Sequence, residues 1–460
     1  MNDFTFFQIT DLHLFAAEQL GAHGKYYDLK AAMDQKCMKE SVRIIEAAFD
    51  ELVADKAVDT VIISGDVTFD GEKASHDLLL PLLQKMKDAG KRVYVMTATH
   101  DYAKIAQSYT EHGSFKVPSY TRDELETLYF DFGWNEAVSI HEPSHSYALK
   151  LAPGLRLLML NDDGDGEAFC GYDADQLNWI KDQASEAKTD GARVIAVTHH
   201  PMLPPARIYP VFSHRDMLGG YETTAPFFAD LGIEYIFTGH THMQSIEYLD
   251  TDKGNRLYHV NTASITGYPA PYRKITVRDD GVDVQTKFLQ DFDWDRGGLS
   301  VETYMKKHFT DMINDIFRSM EHDIEHFKLL ARGFSMDAKT VDRLKPALKL
   351  LGKVINSLTF KGLGRILLVP GAVDPVVAGK KVKDFMLELI LQMYSGVKVY
   401  TPDTPEYRAF MPMAQRVGKL LKLKDHAGNP VALEVLFQDL MFDTGAFDNT
   451  NAFLPYIQPK

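Results

Sequence analysis

The chain has 460 residues, 45% apolar and 25% charged, with 50 basic against 64 acidic side chains and a formal net charge of −14. That length exceeds one ordinary core and points to two or three domains, in a composition typical of folded globular proteins. The acidic balance argues against a nucleic-acid surface, two cysteines (Cys37 and Cys170) are too few for a disulfide framework, and no apolar run nears the ~20 residues of a membrane span.

The start, Met1 to Phe4, has neither a basic nor an apolar leader region. With so little cysteine, a cytoplasmic protein is expected, although a trimmed exported form would read the same. Residues 4–10 predict a first strand ending at Asp11-Leu12-His13, where side chains two apart share a face. A polar loop over 14–35 is expected to overhang a pocket. The stripe Val42, Ile45, Ala48, Phe49, Leu52 predicts a helix over 36–54. Residues 58–64 read as a strand buried on both faces. Gly65 lets the chain turn, and Asp66 stands at the strand's C-terminal tip, the ligand edge of an α/β sheet.

A helix is predicted over 77–89, with His76 at its start either on the surface, the preferred reading, or lining a pocket. A strand over 91–96 then runs into Thr97-Ala98-Thr99-His100-Asp101. This rhythm is that of βαβ units, so the fold class is α/β. Thr121 and Glu124 form a capping-box signature. Paired strands over 147–151 and 155–160 deliver the chain to Asn161-Asp162-Asp163-Gly164-Asp165-Gly166-Glu167, which lacks the ligand order of a calcium loop and reads as a solvated or a pocket-rim loop. A helix over 173–187 carries Trp179 as an anchor.

Strands over 193–198 and 233–238 end at His199-His200 and Gly239-His240-Thr241-His242. Between them, Arg207, Tyr209, His214 and Arg215 are candidates to face a substrate. Alternating runs over 245–249, 257–261 and 273–277 predict a second, antiparallel sheet.

Composition changes near 291–298, so domains are drawn at 1–295 and 296–460. The second is mainly helical, over 303–330, 337–358 and 376–394. Pro402, Pro405 and Pro412 break the pattern before 414–421 and 431–441. Its apolar stripes could serve a homo-oligomer. His322 and His326 lie four apart but have no acidic frame around them, so no metal site is assigned there.

Collected from strand ends, Asp11, His13, Asp66, Thr99, His100, His199, His240 and His242 offer carboxylate and imidazole donors suited to Mn, Fe or Zn, with no thiolate among them. The ordered blocks Asp11-x-His13, Gly65-Asp66, Ala98-Thr99-His100-Asp101, His199 and Gly239-His240-Thr241-His242 resemble the calcineurin-like metallophosphoesterase family over about residues 1–290. The stretches 65–72 and 171–179 look like its cyclic-nucleotide phosphodiesterase branch, some members of which also carry a helical C-terminal domain.

The resemblance implies a metallophosphoesterase-like β-sandwich flanked by helices and two divalent or mixed-valence ions. Asp11, His13, Asp66 and His242 would hold one ion; Asp66, His199 and His240 would hold the other, with Asp66 bridging. His100 would bind phosphate or protonate the leaving oxygen, Asp101 would orient His100, and His200 would face substrate. A hydroxide between the ions would attack a small phosphate ester. Thr99 stands where the family has an Asn ligand and Ala98 where it has Gly, which implies a weaker second site. A phosphodiesterase is the leading reading. A broad phosphomonoesterase and a catalytically impaired metal- or phosphate-binding protein are the alternatives.

Overall fold

The computed structural model describes residues 2–102, 104–164, 170–331, 336–442 and 447–457. Its strands in chain order are β1 (Phe4–Ile9), β2 (Thr60–Ser64), β3 (Arg92–Met96), β4 (Gln107–Thr110), β5 (Gly113–Lys116), β6 (Ser139–His141), β7 (Ser146–Ala152), β8 (Leu155–Met159), β9 (Arg193–Val197), β10 (Ile233–Thr238), β11 (Ser245–Asp250), β12 (Arg256–Asn261), β13 (Pro271–Val277), β14 (Gly281–Phe288) and β15 (Asn451–Pro455). One sheet has the order β15-β14-β13-β1-β2-β3 and the other β11-β12-β10-β9-β8-β7-β6, while β4 and β5 pair alone.

β1, β2 and β3 run parallel, as do β8, β9, β10 and β12. Parallel strands covered on both faces need unbroken apolar runs, and every residue of β2 is buried. The two sheets share one core, where Phe6 of β1 meets Phe237 of β10 edge-on at 5.6 Å between ring centres. Helices Ser41–Ala54 and Lys73–Asp88 contribute to that core, while Ala174–Thr189 and Tyr221–Leu231 pack with β9 and β10 in a second cluster. The result is an α/β core followed by a mainly helical region.

Several expectations change. The runs after His242 form no sheet of their own: β11 and β12 extend the second sheet beyond β10, and β13 crosses to pair antiparallel with β1. Tyr235 and Tyr258, stacked at 5.3 Å, seal the β10–β12 join. The 14–35 loop contains a helix, Gly24–Ala32. His76 lies within helix Lys73–Asp88 and is fully buried, its ring bonded to the Tyr129 hydroxyl (2.8 Å) and to the Asp101 carbonyl (2.9 Å). Asp162 and Asp163 are buried instead of solvated; Asp165 to Glu167 lie outside the described residues.

In the helical region, Asp323 divides Val301–His322 from Ile324–Ala331, accepting the His326 N–H at 3.0 Å. Pro405 occupies the first turn of Pro405–Leu421, where its missing N–H is not needed, and the helix runs on through Pro412. Helix Ala338–Ser357 matches its expected span, Phe360–Ile366 is additional, and Val382–Ser395 begins later than expected. The chain then returns to the first sheet, where β15 pairs antiparallel with β14.

Candidate metal centre

The tips of β1, β2, β9 and β10, with the turn after β3, converge on one site. Asp11, His13, Asp66, His240 and His242 all adopt left-handed backbone, with φ of 51°, 44°, 49°, 69° and 55°. That conformation costs a non-glycine residue about 1–3 kcal/mol, and such residues cluster where ligands must be aimed. Two glycines make the convergence possible. A Cβ on Gly65 (φ +97°) would lie 2.6 Å from His199 Nδ1, and one on Gly239 would strike the Thr10 hydroxyl and Asp11 Oδ2.

Around one centre, His242 Nε2 lies 3.2 Å from Asp11 Oδ1 and 3.0 Å from His13 Nε2, and His13 Nε2 lies 3.6 Å from Asp11 Oδ1. Around the other, His199 Nε2 lies 3.1 Å from Asp66 Oδ2 and 3.3 Å from His240 Nδ1. Asp66 Oδ2 is also 3.8 Å from His13 Nε2, so one acidic oxygen stands between the two groups. Asp11–His13–His242 and Asp66–His199–His240 each have a set of ligand atoms within 4.8 Å of one another, the right spread for one cation apiece.

The far sides of these groups are anchored. Asp11 accepts the Thr10 hydroxyl (2.7 Å) and the His240 N–H (3.0 Å). His199 Nδ1 donates to the Ser64 carbonyl (2.9 Å), which aims Nε2 at Asp66. His242 Nδ1 bonds to Gln35 Oε1. Asp162 Oδ2 accepts the N–H groups of His199 (3.1 Å) and His200 (2.7 Å) and the Thr198 hydroxyl (2.6 Å).

The electrostatics fit cations. Burial would raise the Asp11 and Asp66 carboxyls, but the surrounding histidines overcome it and hold both well below the ordinary range. Burial and then Lys36 push His13 down to about 3, so it is a neutral donor. His199 is raised to about 10 despite burial, because Asp66 and Asp11 face it. A proton there does what a divalent ion would do better: it sits between imidazole nitrogen and carboxylate. This donor set, with two imidazole nitrogens 3.0 Å apart, fits two borderline divalent metals.

Among the other expected site residues, His100 stands beside the cluster, its ring 5.1 Å from that of His13. The backbone N–H of His100 donates to Asp66 Oδ1 (3.1 Å). The orienting carboxylate is Asp70, 2.9 Å from His100 Nδ1, and not Asp101. Asp101 faces the other way, accepting from the Thr68 N–H and hydroxyl and the Ala98 N–H, which braces the turn after β3. Thr99 is buried at the start of the short helix Thr99–Tyr102.

His200 is 2% exposed, bonded to Asp162 Oδ1 (2.9 Å) and tilted against His240 at 4.1 Å. That burial favours a supporting position over substrate contact. Tyr209 is buried on Met243 Sδ (3.2 Å), and His214 stacks on His426 at 3.9 Å. His322 and His326 pair separately, with Glu321 and Asp315. Sequence reasoning missed Gln35, Asp70 and Asp162. The partner of each lies far along the chain, and the one hint for Asp162 was its place in the acidic stretch just past the apolar run 155–160.

An α/β fold presenting paired Asp/His clusters at its strand tips defines a metal-dependent phosphoesterase fold. Residues 4–244 match the calcineurin-like phosphoesterase family model, and the chain belongs to that family. No curated protein matches the sequence significantly. Similar solved structures include a dimetal phosphatase from Danio rerio, at 13% identity and TM-score 0.45, covering 62% of this chain and 96% of that one. Another is the NAD nucleotidase of Haemophilus influenzae, at 11% identity and TM-score 0.30, covering 78% of this chain and 61% of that one. A third is a phosphopantetheinyl hydrolase from Mycobacterium tuberculosis, at 14% identity and TM-score 0.26, covering 56% and 89%.

Proposed function

We propose that the protein hydrolyses small phosphodiesters, cyclic nucleotides foremost, at a two-metal centre. The observation that carries this reading is Asp66 Oδ2, placed between His13 and His199 with His100 alongside. Asp11, His13, Asp66 and His242 would hold one ion, and Asp66, Thr99, His199 and His240 the other. Such ions polarise the phosphoryl group and acidify a water molecule.

His100 supplies the proton. Its Nδ1 is held by the Phe69 carbonyl (2.7 Å) and Asp70 Oδ1 (2.9 Å), leaving Nε2 to face the ester. Burial lowers its basicity, but Asp66 and then Asp70 outweigh that and raise it, a direction that favours an imidazole able to give a proton to a leaving oxygen. The diester preference is supported by the resemblance of 65–72 to the cyclic-nucleotide branch, since this stretch supplies Asp66 and Asp70. A threonine hydroxyl reaches less far than an Asn carbonyl, so the second ion is held weakly.

The test is hydrolysis of cyclic nucleotides, linear diesters and monoesters by chelator-stripped protein with Mn, Zn or Fe restored. Turnover of cyclic nucleotides supports the reading, and turnover of monoesters alone overturns the diester preference. In the same assay, Thr99→Asn is expected to reach full activity at tenfold or more lower metal. Equal metal dependence of the two proteins would remove the weak second site.

A further inference from the structure

We infer that the helical region docks on an anionic membrane surface through Ala338–Ser357 and the helix that follows it. Charge is unevenly divided along the chain: 23 basic against 18 acidic residues from 296 onward, 27 against 46 before it. The excess is concentrated in residues 338–368, which hold seven basic side chains and one acid, Asp342. That acid is paired to Lys328 at 2.7 Å. Arg343, Lys345, Lys349, Lys353, Lys361 and Arg365 make no ion pair among the described residues.

The same stretch exposes large apolar side chains. Val341, Leu348, Gly352 and Ile355 form the inner stripe of Ala338–Ser357, and Gly352 lies so close to Met320 and Glu321 that a Cβ would fall 2.8 Å from the Glu321 nitrogen. The helix therefore has its apolar face already covered. Yet Leu350, opposite that stripe, is 65% exposed, Leu344 and Leu351 along its edge are 38% and 48% exposed, and beyond it Ile366 and Leu368 are 64% and 74% exposed. A helix that merely faces water carries mixed charges there, while leucines set among unpaired lysines match a bilayer interface: apolar groups enter the acyl boundary and cations meet lipid phosphates.

The chemistry selects this partner over the alternatives. Single-strand binding adds aromatic stacking platforms, and the stretch's only aromatic residue, Phe360, is fully buried, while a duplex backbone offers no apolar partner for the exposed leucines. A symmetric pair of copies would bring like charges together. No described helix is long and apolar enough to cross a membrane, so the association is peripheral.

The test is co-sedimentation of the full chain with vesicles of phosphatidylcholine containing phosphatidylglycerol, against phosphatidylcholine alone. Binding is expected to the anionic vesicles only and to weaken with salt. Each lysine near the surface contributes about fivefold, so Lys349→Gln with Lys353→Gln should weaken binding about 25-fold. Leu350→Ser with Leu351→Ser should weaken it tenfold or more, and circular dichroism and ester hydrolysis should be unchanged in both. Equal binding to neutral vesicles, no binding to either, or variants that bind like the parent would overturn the assignment. So would a duplex oligonucleotide that displaces the vesicles, or a dimer that these substitutions dissociate.

Discussion

Gln35 and Asp162 grip candidate ligands from the side away from the centre, one through His242 Nδ1 and the other through the His199 and His200 N–H groups. The first contact fixes a ring and the second the backbone that carries His199, and losing such an outer partner commonly costs 10–100-fold in metal affinity. Gln35→Ala and Asp162→Asn are each expected to weaken metal binding by about that range, measured by titrating metal into chelator-stripped protein. Affinity equal to the parent's would mean that the rings hold themselves. His259 offers a separate test. Burial alone pushes it down to about 3, with Nε2 on the Thr238 hydroxyl at 2.8 Å and Nδ1 lacking a partner among the described residues. The unfolded chain takes up the proton near pH 6.5, so this group's stability is complete above that pH and is lost as pH falls toward about 3. The slope is about 1.4 kcal/mol per pH unit. Metal-free His259→Asn should lose stability less steeply over that window in denaturant titrations; parallel curves would contradict the assignment. At this scale the convergence of the candidate ligands was legible because each follows an apolar run that needs burial on both faces. Asp70's hold on His100 was not, because a loop carboxylate carries no sign of its distant partner, and Asp101 was the nearer candidate by chain position alone.

The strands show the same division between local and distant information. β2, β9 and β10 each carry three or four apolar residues in a row, and their burial follows from that. β15 carries no such signature: Asn451 and Pro455 flank it, and as an edge strand it is buried on one side at most. Its role rests on Leu454, which is fully buried opposite Val282 and accepts the Tyr235 hydroxyl on its own carbonyl at 3.0 Å. Leu454→Ala should lower the free energy of unfolding by about 2–5 kcal/mol. A loss below 1 kcal/mol in chemical denaturation would make β15 a passive attachment. The three runs after His242 alternate, which reveals a half-covered strand without naming the sheet it joins. Assigning them to one new sheet failed because β12 enters parallel to β10 and β13 crosses to β1.

Across the whole molecule, the core does not stop where composition changes. One buried cluster runs from Phe6 and Tyr258 through Val301, Phe309 and Ile355 to Leu454. Fully buried Arg273 ties the ends together, donating to the carbonyls of Asn261 (3.1 Å), Asn449 (2.9 Å) and Thr450 (2.8 Å). The shift near 295 reports a change of secondary structure, and packing between segments is not written in composition. The protein is therefore expected to unfold in one transition, with loss of helix and loss of ester hydrolysis coinciding. Two separated transitions would show that the helical region stands alone.

The left-handed backbone at Asp11, His13, Asp66, His240 and His242 limits how this centre can vary. At His242, the glycine variant should be more stable without metal than the alanine variant by about 1–2 kcal/mol, since neither binds and only the torsion differs. The polypeptide is thus held bent at the tips that carry its candidate ligands, and a drifting lineage under no demand to bind ions there would be expected to collect glycine, asparagine or aspartate before any other residue.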